Sequence, residues 1–295
     1  MAYDLSIVIV TYNSAATIGD CLTSLDRNTT SGLQTEIILI DNHSTDDTLS
    51  IVHLFQKSNP NLQVIPNATN RYFAPAVNQG IRVATGQYIL LLNPDTQIIA
   101  DALKQLHQVF ESDPDIGVTA PQLLNPDGSI QASCRRFPKH RDVIFNMTGL
   151  FKLFRYNRFF NGWKMGDFDH QSLRDVDQPQ GAALFTSREV LETVGPLDES
   201  FPMFFNDVDW CYRVKQAGYR IVYVPAAQVI HHQGSSVKQV KLWMIISSHV
   251  SFFRYFEKHY DRIYQQIINL VIGLLLFCSL PVRVLWELLR KNGKT

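Results

Sequence analysis

The stretch "YILLLNPDT", residues 88–96, is an unbroken apolar run that stops at an asparagine, a proline and a carboxylate. A continuous apolar run of this length reads as a strand buried on both faces. Pro94 has no N–H to extend a ladder and its fixed φ sets the chain's exit direction, so Asp95 is delivered at the strand's carboxyl end. Working outward, the same kind of strand recurs with helices between. "LSIVIVTY" (5–12) is β-branched and continuous, and Ser14 offers a cap to a helix with Ile18, Cys21, Leu22 and Leu25 on one face. "EIILI" (36–40) precedes a helix opened by the capping box Ser44-Thr-Asp-Asp47. "LQVI" (62–65) and a helix near residues 74–85 lead into "QYILLL" (87–92), which is followed by "ADALKQLHQVFES" (100–112) and "IGVTAP" (116–121). This alternation predicts an α/β fold with a mostly parallel central sheet and helices on both faces.

After about residue 122 the rhythm breaks. "NPDGS" (125–129) is a hairpin-type turn, and residues 133–175 are basic, aromatic and without a clear period, which reads as a mobile, substrate-facing excursion. Regular structure returns with "GAALFTS" (181–187), a short helix from Arg188 and the block 196–236.

The 295 residues suit one large α/β domain with an appendage, or two modest domains. Lys plus Arg and Asp plus Glu both total 27, so the charge balance points to no nucleic acid or other polyanion as partner. The balance is uneven along the chain: from residue 236 onward there are 9 basic and 3 acidic side chains, which leaves the body acidic. Cys21, Cys134, Cys211 and Cys278 lie far apart without CxxC spacing, so neither a disulfide framework nor a zinc knuckle is indicated, and a reducing cytosolic compartment is expected. The first residues enter a strand-like run without a basic leader, and no signal peptide is predicted.

In the tail, Arg254, Lys258 and Arg262 fall at i, i+4 and i+8, on one helical face beside Phe252, Phe253 and Phe256. "IINLVIGLLLFCSL" (267–280) follows, then Pro281 and a second apolar stretch. Fourteen apolar-dominated residues fall short of the roughly 20 that cross a bilayer as a helix. An interfacial or re-entrant segment on the cytoplasmic, anionic face of a membrane is therefore expected, with a helical hairpin against a homodimer partner as the alternative.

In an open parallel sheet, ligands bind beyond the carboxyl ends of the strands. The polar residues there are Thr11, Tyr12 and Asn13 after the first strand, Asp41, Asn42 and Ser44 after the second, and Asn93 and Asp95 after "YILLL". No glycine-rich dinucleotide or P-loop signature is present, so a nucleotide diphosphate held here would need a divalent cation, with Asp95 as an oxygen ligand. A second constellation lies in "FFNDVDWCYRVKQAGYRIVYVPAAQVIHHQGSS" (204–236). On a helix start Asp209 can pair with Arg213 while Asp207 points elsewhere among aromatics, an arrangement that suits a general base. His231 and His232 follow an apolar strand and are either core groups or ligands for the same cation.

With these pieces in order, the sequence resembles the inverting family-2 glycosyltransferases, especially bacterial rhamnosyltransferase-like enzymes. The matching segments are "SIVIVTYNS", "EIILIDNHSTDDT", "NRYFAPAVNQGI", "YILLLNPDT", "QGAALFTSREVLETVGPLDESF", "FFNDVDWCYRVKQAGYRIVYVP" and "HHQGSS", covering roughly residues 5–236. The resemblance implies a GT-A fold with a nucleotide-sugar-binding half (1–121), an acceptor-binding half (122–236) and a helical, membrane-associating region (237–295). It implies that Thr11, Asn13 and Asp41 serve the donor nucleotide, with Asn78 of the third segment also on the donor side. Asp95 would be the surviving metal carboxylate of the family's DxD, His231 the second ligand to Mg²⁺ or Mn²⁺ with His232 as its substitute, and Asp207 the base. Asp209 and Arg213 would hold the base-bearing helix. The implied reaction moves a sugar, rhamnose being the family expectation, from a dTDP- or UDP-sugar to a lipid-linked saccharide. A degenerate membrane scaffold and a sugar-1-phosphate nucleotidyltransferase are the rival readings. Three departures stand out: Asn206 replaces an acidic neighbour of Asp207 and should leave that base near its ordinary pKa, Tyr72 replaces a glycine and argues against a positive-φ loop, and Gln233 replaces a glycine.

Overall fold

The computed structural model describes residues 3–27, 32–201, 203–232 and 241–292. Gln233 and the Gly-Ser-Ser run after it lie outside the described residues. The first half runs β1 (Leu5–Thr11), α1 (Ile18–Arg27), β2 (Thr35–Asp41), α2 (Thr48–Ser58), β3 (Leu62–Pro66), α3 (Phe73–Val83), β4 (Tyr88–Leu92), β5 (Thr96–Ile98), α4 (Ala102–Glu111) and β6 (Ile116–Leu124). The second half runs β7 (Cys134–Arg135), α5 (His140–Thr148), α6 (Leu150–Leu153), β8 (Arg174–Asp175), β9 (Gln178–Pro179), β10 (Ala183–Ser187), α7 (Arg188–Val194), α8 (Asn206–Gln216) and β11 (Arg220–His231), then α9 (Lys241–His259) and α10 (Ile263–Asn292).

The main sheet has the order β3-β2-β1-β4-β10-β6-β11-β5, with β8 beside β11. The first four strands of this order are mutually parallel, as their mainly apolar composition predicts, and β6 and β11 are also parallel. Between these blocks β10 runs antiparallel to both β4 and β6, so the sheet is mixed at its centre. That reversal positions the site: the start of β10 lies beside the end of β4, where the Asn93 N–H donates to Ala182 O at 2.9 Å. On α3, a Cβ added to Gly80 would meet Val8 Cγ1 at 2.4 Å, so glycine is what lets this helix lie against β1.

Several local expectations are corrected. The capping box at Ser44 does not form: α2 starts at Thr48, whose N–H donates to Asp46 Oδ1, while the Ser44 hydroxyl accepts from the Asn13 N–H. Ser14 likewise caps with its carbonyl, and α1 begins only at Ile18. The excursion at 133–175 carries two helices and short strands, β7 pairing with β9.

The tail differs most. Pro281 does not divide it; α10 runs through the proline, and Ile263–Pro281 is long and apolar enough to cross a membrane by length and composition. One face of α10 is already occupied. Ile272 and Leu276 pack with Tyr255 and Phe256 of α9, Val208 of α8, Val143 of α5 and Phe201 and Phe205 in a second core. The buried Asn269 amide donates to Phe256 O and Tyr260 O and accepts from His140 at 2.6 Å, tying α10 to α5 and to the end of α9. The three-cation face is also reassigned: Arg254 donates to Ser200 O and Lys258 pairs with Asp198 and Asp209, so two of the three cations fasten the tail to the body.

Candidate functional site

The strand-end residues do converge, though in two layers. Thr11 and Asp41 are almost fully closed to solvent, at 0% and 1% exposure. Thr11 Oγ1 donates to Asp41 Oδ1 at 2.9 Å, and Asp41 Oδ2 accepts from the Ser44 N–H at 3.0 Å. Asn42 is equally buried: its amide donates to Asn70 Oδ1 and Tyr72 O and accepts from the Arg71 N–H, so it shapes the loop before α3. Above this floor stand Tyr12, Asn13, Ser44 and Asn93, which keep part of their surface open. Asn13 and His43 occupy left-handed backbone at φ 50° and 71°. Such conformations persist where the surroundings over-determine them, here through Asn13 Oδ1 accepting from Thr45 N and Oγ1.

Two expectations fail here. Asn78 is not brought to the crevice: its amide donates to Leu197 O and Glu199 Oε1 and accepts from the Leu197 N–H, so it pins α3 to the chain before α8. Tyr72 does take the positive-φ conformation, at φ 64° and ψ 177°, despite its side chain. Asn70 Oδ1 accepts from its N–H and Asn42 Nδ2 donates to its carbonyl, and these two bonds hold the strained peptide.

Asp95 and His231 meet across the β5–β11 pairing, in which His231 sits opposite Thr96. His231 Nε2 lies 3.4 Å from Asp95 Oδ1, and both side chains are nearly enclosed. His231 Nδ1 faces Gln131 Oε1 at 3.1 Å, while Gln131 Nε2 donates to His231 O and Asn125 Oδ1. With Gln131 Oε1 facing it, Nδ1 is placed to donate, and Nε2 is the ring nitrogen turned toward Asp95, the arrangement a metal-binding imidazole needs. His232 turns to Gln97, with its Nε2 at 3.0 Å from the amide nitrogen. Among the described residues no group of three or more His, Cys, Asp or Glu side chains converges. Asp95 and His231 together offer one carboxylate oxygen and one imidazole nitrogen, donor types that a hard divalent cation accepts.

Asp207 opens α8 and is half-buried. Its Oδ2 accepts from Gln178 Nε2 and the Gly181 N–H, both at 3.1 Å, and its Oδ1 from the Val208 N–H at 2.9 Å. Burial pushes its carboxyl above the ordinary aspartate value, outweighing these bonds. The rise is the one that desolvation among aromatics implies, and it outweighs the return toward the ordinary value expected from Asn206, which turns away to donate to Met203 O. A Cβ on Gly181 would lie 3.0 Å from Asp207 Cβ, so that glycine makes room for the carboxylate. Gln178, Gly181 and Gln131 escaped the sequence reading, since an isolated Gln or Gly carries no local signature.

Asp209 does pair with Arg213, at 2.9 Å, and also receives His259 Nε2 at 2.8 Å and Lys258 Nζ at 2.7 Å from α9. Burial alone would raise this carboxyl; the bonds from His259 and Lys258 and the Arg213 charge bring it down to about 2. Its stabilising contribution is therefore complete above the unfolded pKa and lost as pH falls from about 4 toward 2. Asp209→Asn is expected to cost about 2–3 kcal/mol in chemical denaturation, by orphaning three donors around a buried position. The loss should vanish near pH 2; a variant as stable as wild type at pH 7 would show the cluster to be inert.

The chain was compared with known proteins. A family model described as "Glycosyl transferase family 2" matches residues 6–170. The chain is 28% identical to an N-acetylglucosaminyl-diphospho-decaprenol L-rhamnosyltransferase of Mycobacterium tuberculosis, over 79% of this chain and 77% of the relative. It is 25% identical to the low-salt glycan biosynthesis hexosyltransferase Agl10 of Haloferax volcanii, over 79% and 68%. Among solved structures, a mannosyltransferase from Pyrobaculum calidifontis, in complex with GDP-Man and Mn²⁺, superposes with TM-score 0.60 at 18% identity, covering 96% of this chain and 72% of that one. At that identity the likeness speaks for the fold.

Proposed function

Because the chain belongs to glycosyl transferase family 2, we propose that it transfers a sugar, with inversion at the anomeric carbon, from a dTDP- or UDP-sugar to a saccharide hydroxyl of a polyprenyl-diphosphate-linked acceptor. Rhamnose is the favoured sugar, on the likeness to the mycobacterial rhamnosyltransferase. The observation that carries this reading is that the chain bonded to Asp207 and the chain leading to Asp95 are joined at the start of β10. Gly181 donates to Asp207, the adjacent Ala182 O holds the Asn93 N–H, and Asp95 follows two residues later.

In this reading residues 1–121 bind the donor and 122–236 the acceptor. Tyr12, Asn13, Ser44 and Asn93 contact the nucleotide sugar, and Thr11, Asp41 and Asn42 hold the floor beneath them. Asp95 and His231 would hold Mg²⁺ or Mn²⁺, which when bound supplies positive charge against the diphosphate as it leaves. Asp207 accepts the acceptor's hydroxyl proton while that oxygen attacks the anomeric carbon from the face opposite the leaving group. Its raised proton affinity makes it a better base than an exposed aspartate, and Gln178 and Gly181 keep it aimed. The exposed side of α10, with Ile263, Ile267, Leu270, Leu274 and Phe277 outward, lies on the cytoplasmic membrane surface while its other side stays on the body.

A thermal-shift screen of nucleotide diphosphate sugars with Mn²⁺, followed by anomeric analysis of the product of the best donor, tests the reading. A stabilising donor whose sugar reaches a prenyl-linked saccharide with inverted configuration supports it; retention, or no transfer and no donor hydrolysis, overturns it. In the same assay Gln131→Leu is expected to weaken Mn²⁺ binding about 10- to 100-fold, because it frees the His231 tautomer and ring. Unchanged Mn²⁺ affinity would separate Gln131 from the metal.

A further inference from the structure

Three partly buried arginines of the second half sit on carboxylates: Arg136 on Asp167, Arg213 on Asp209, and Arg220 on Asp113 and Asp175. Arg135 and Lys164 have no such partner among the described residues. Arg135, half-buried on β7, uses Nη1 to donate to Ala132 O and Cys134 O at 2.6 and 2.7 Å, and among the described residues it has no ion-pair partner. Lys164 is half-buried too, with Nζ 3.6 Å from the centre of the Phe151 ring, and Lys152 Nζ approaches the same ring at 5.8 Å. Neither lysine has a carboxylate within ion-pair range among the described residues. The Arg136 N–H donates to Trp163 O at 2.9 Å, which sets the segments that carry Arg135 and Lys164 side by side, and burial, then the charges of Arg135 and Lys152, push the Lys164 amine down to about 8. Gathering like charges in partly desolvated surroundings is unfavourable unless an anion joins them.

We propose that Arg135, Lys164 and Lys152 form a phosphate-binding site on the acceptor side of the crevice, which takes the diphosphate of a prenyl-linked acceptor. This rests on the transferase reading above for the identity of the ligand. Two observations choose the acceptor's diphosphate over the donor's. Arg135 pairs in register with Gln178, the residue that donates to Asp207, and the Asp207 charge acts on Arg135, so this cation adjoins the base. Immediately beyond Lys152, Leu153 is 73% exposed, and Phe154, Tyr156 and Phe159 are also open to solvent. These apolar groups follow α5, which is bonded to α10 through His140 and Asn269. A phosphate held at Lys164 would thus have a saccharide hydroxyl on one side, toward Asp207, and an apolar surface for its prenyl chain on the other. Arg155 and Arg158 flank that surface, as suits an anionic lipid boundary.

The test needs no sugar transfer. Inorganic pyrophosphate is titrated in the presence of chelator into the full-length protein and into Asp95→Asn, Lys164→Gln, Lys164→Arg, Arg135→Gln and Lys152→Gln, with binding followed by calorimetry and folding by thermal melting. Wild type and Asp95→Asn should bind alike, Lys164→Gln and Arg135→Gln at least about tenfold more weakly, and Lys164→Arg close to wild type. Geranylgeranyl diphosphate should compete with pyrophosphate, and UDP should not. No saturable binding in chelator, binding lost with Asp95 rather than Lys164, or displacement by UDP would each overturn the site. Lys152→Gln, at an exposed position, keeps the test decisive if a buried variant misfolds: a wild-type affinity there and in every folded cation variant removes the proposal. Pyrophosphate binding without sugar transfer would overturn the transferase reading alone; transfer with unchanged binding in Lys164→Gln would overturn this site alone.

Discussion

Replacing Asp207 by asparagine is expected to lower sugar transfer by about 10³-fold, within the range for loss of a general base, while the melting temperature holds or rises. The two effects share one cause. Burial raises the Asp207 pKa, so the folded protein favours the protonated carboxyl. A carboxyl of that kind stabilises the fold fully at low pH and loses this contribution as pH rises through its folded pKa. At neutral pH the ionised base is therefore a liability that asparagine removes, while an amide cannot accept the acceptor's proton. The same shift predicts that the acid limb of kcat/KM lies above the ordinary aspartate range, with activity falling as pH drops through it. Near-normal transfer by the folded variant would remove Asp207 from the mechanism. A pronounced loss of stability would instead mean that the bonds to Gln178 and Gly181 depend on the charge.

Chelation of divalent cations is expected to be comparably severe, with transfer reduced by about 10³-fold or more and restored by Mn²⁺ or Mg²⁺, because the leaving diphosphate would then carry its developing charge unneutralised. Asp95→Asn and His231→Leu should lose activity without rescue at ordinary metal concentrations. His232→Gln should stay within a few-fold of wild type, since that ring faces Gln97. Activity indifferent to chelator would eliminate the metal site, and equal losses in His231 and His232 variants would dissolve the distinction between them.

The legible part of this molecule was the part with a local signature. The strands β1, β2, β4 and β6 could be read from runs of Ile, Val and Leu because a strand buried on both faces must be apolar along its whole length. Helix boundaries were less legible: Ser44 has the residues of a capping box, yet its hydroxyl is worth more to Asn13, whose backbone arrives only in the folded chain. The antiparallel insertion of β10 could not be read, since "GAALFTS" has the same apolar character whichever way it runs. Tyr72 shows the opposite failure. The rule that a bulky residue avoids positive φ is sound locally, and here Asn42 and Asn70 override it. In the tail, Pro281 stands between two apolar stretches in the sequence, and the helix continues through it.

By itself, then, the sequence determined an α/β chain, the residues that end its strands, and the candidates Asp95 and Asp207, since these depend on period, proline and carboxylate chemistry within a few neighbours; the GT-A arrangement and the choice of His231 came from the resemblance to a known family. Only the tertiary structure decided that His231 and not His232 faces Asp95, and that Gln131 holds the other nitrogen of its ring. It also decided that Asn78 is a structural pin, that burial rather than a neighbouring acid tunes Asp207, and that the basic face of α9 fastens the tail to the body. These rest on contacts across roughly 25 to 140 residues of chain, of the kind settled when the whole core closes.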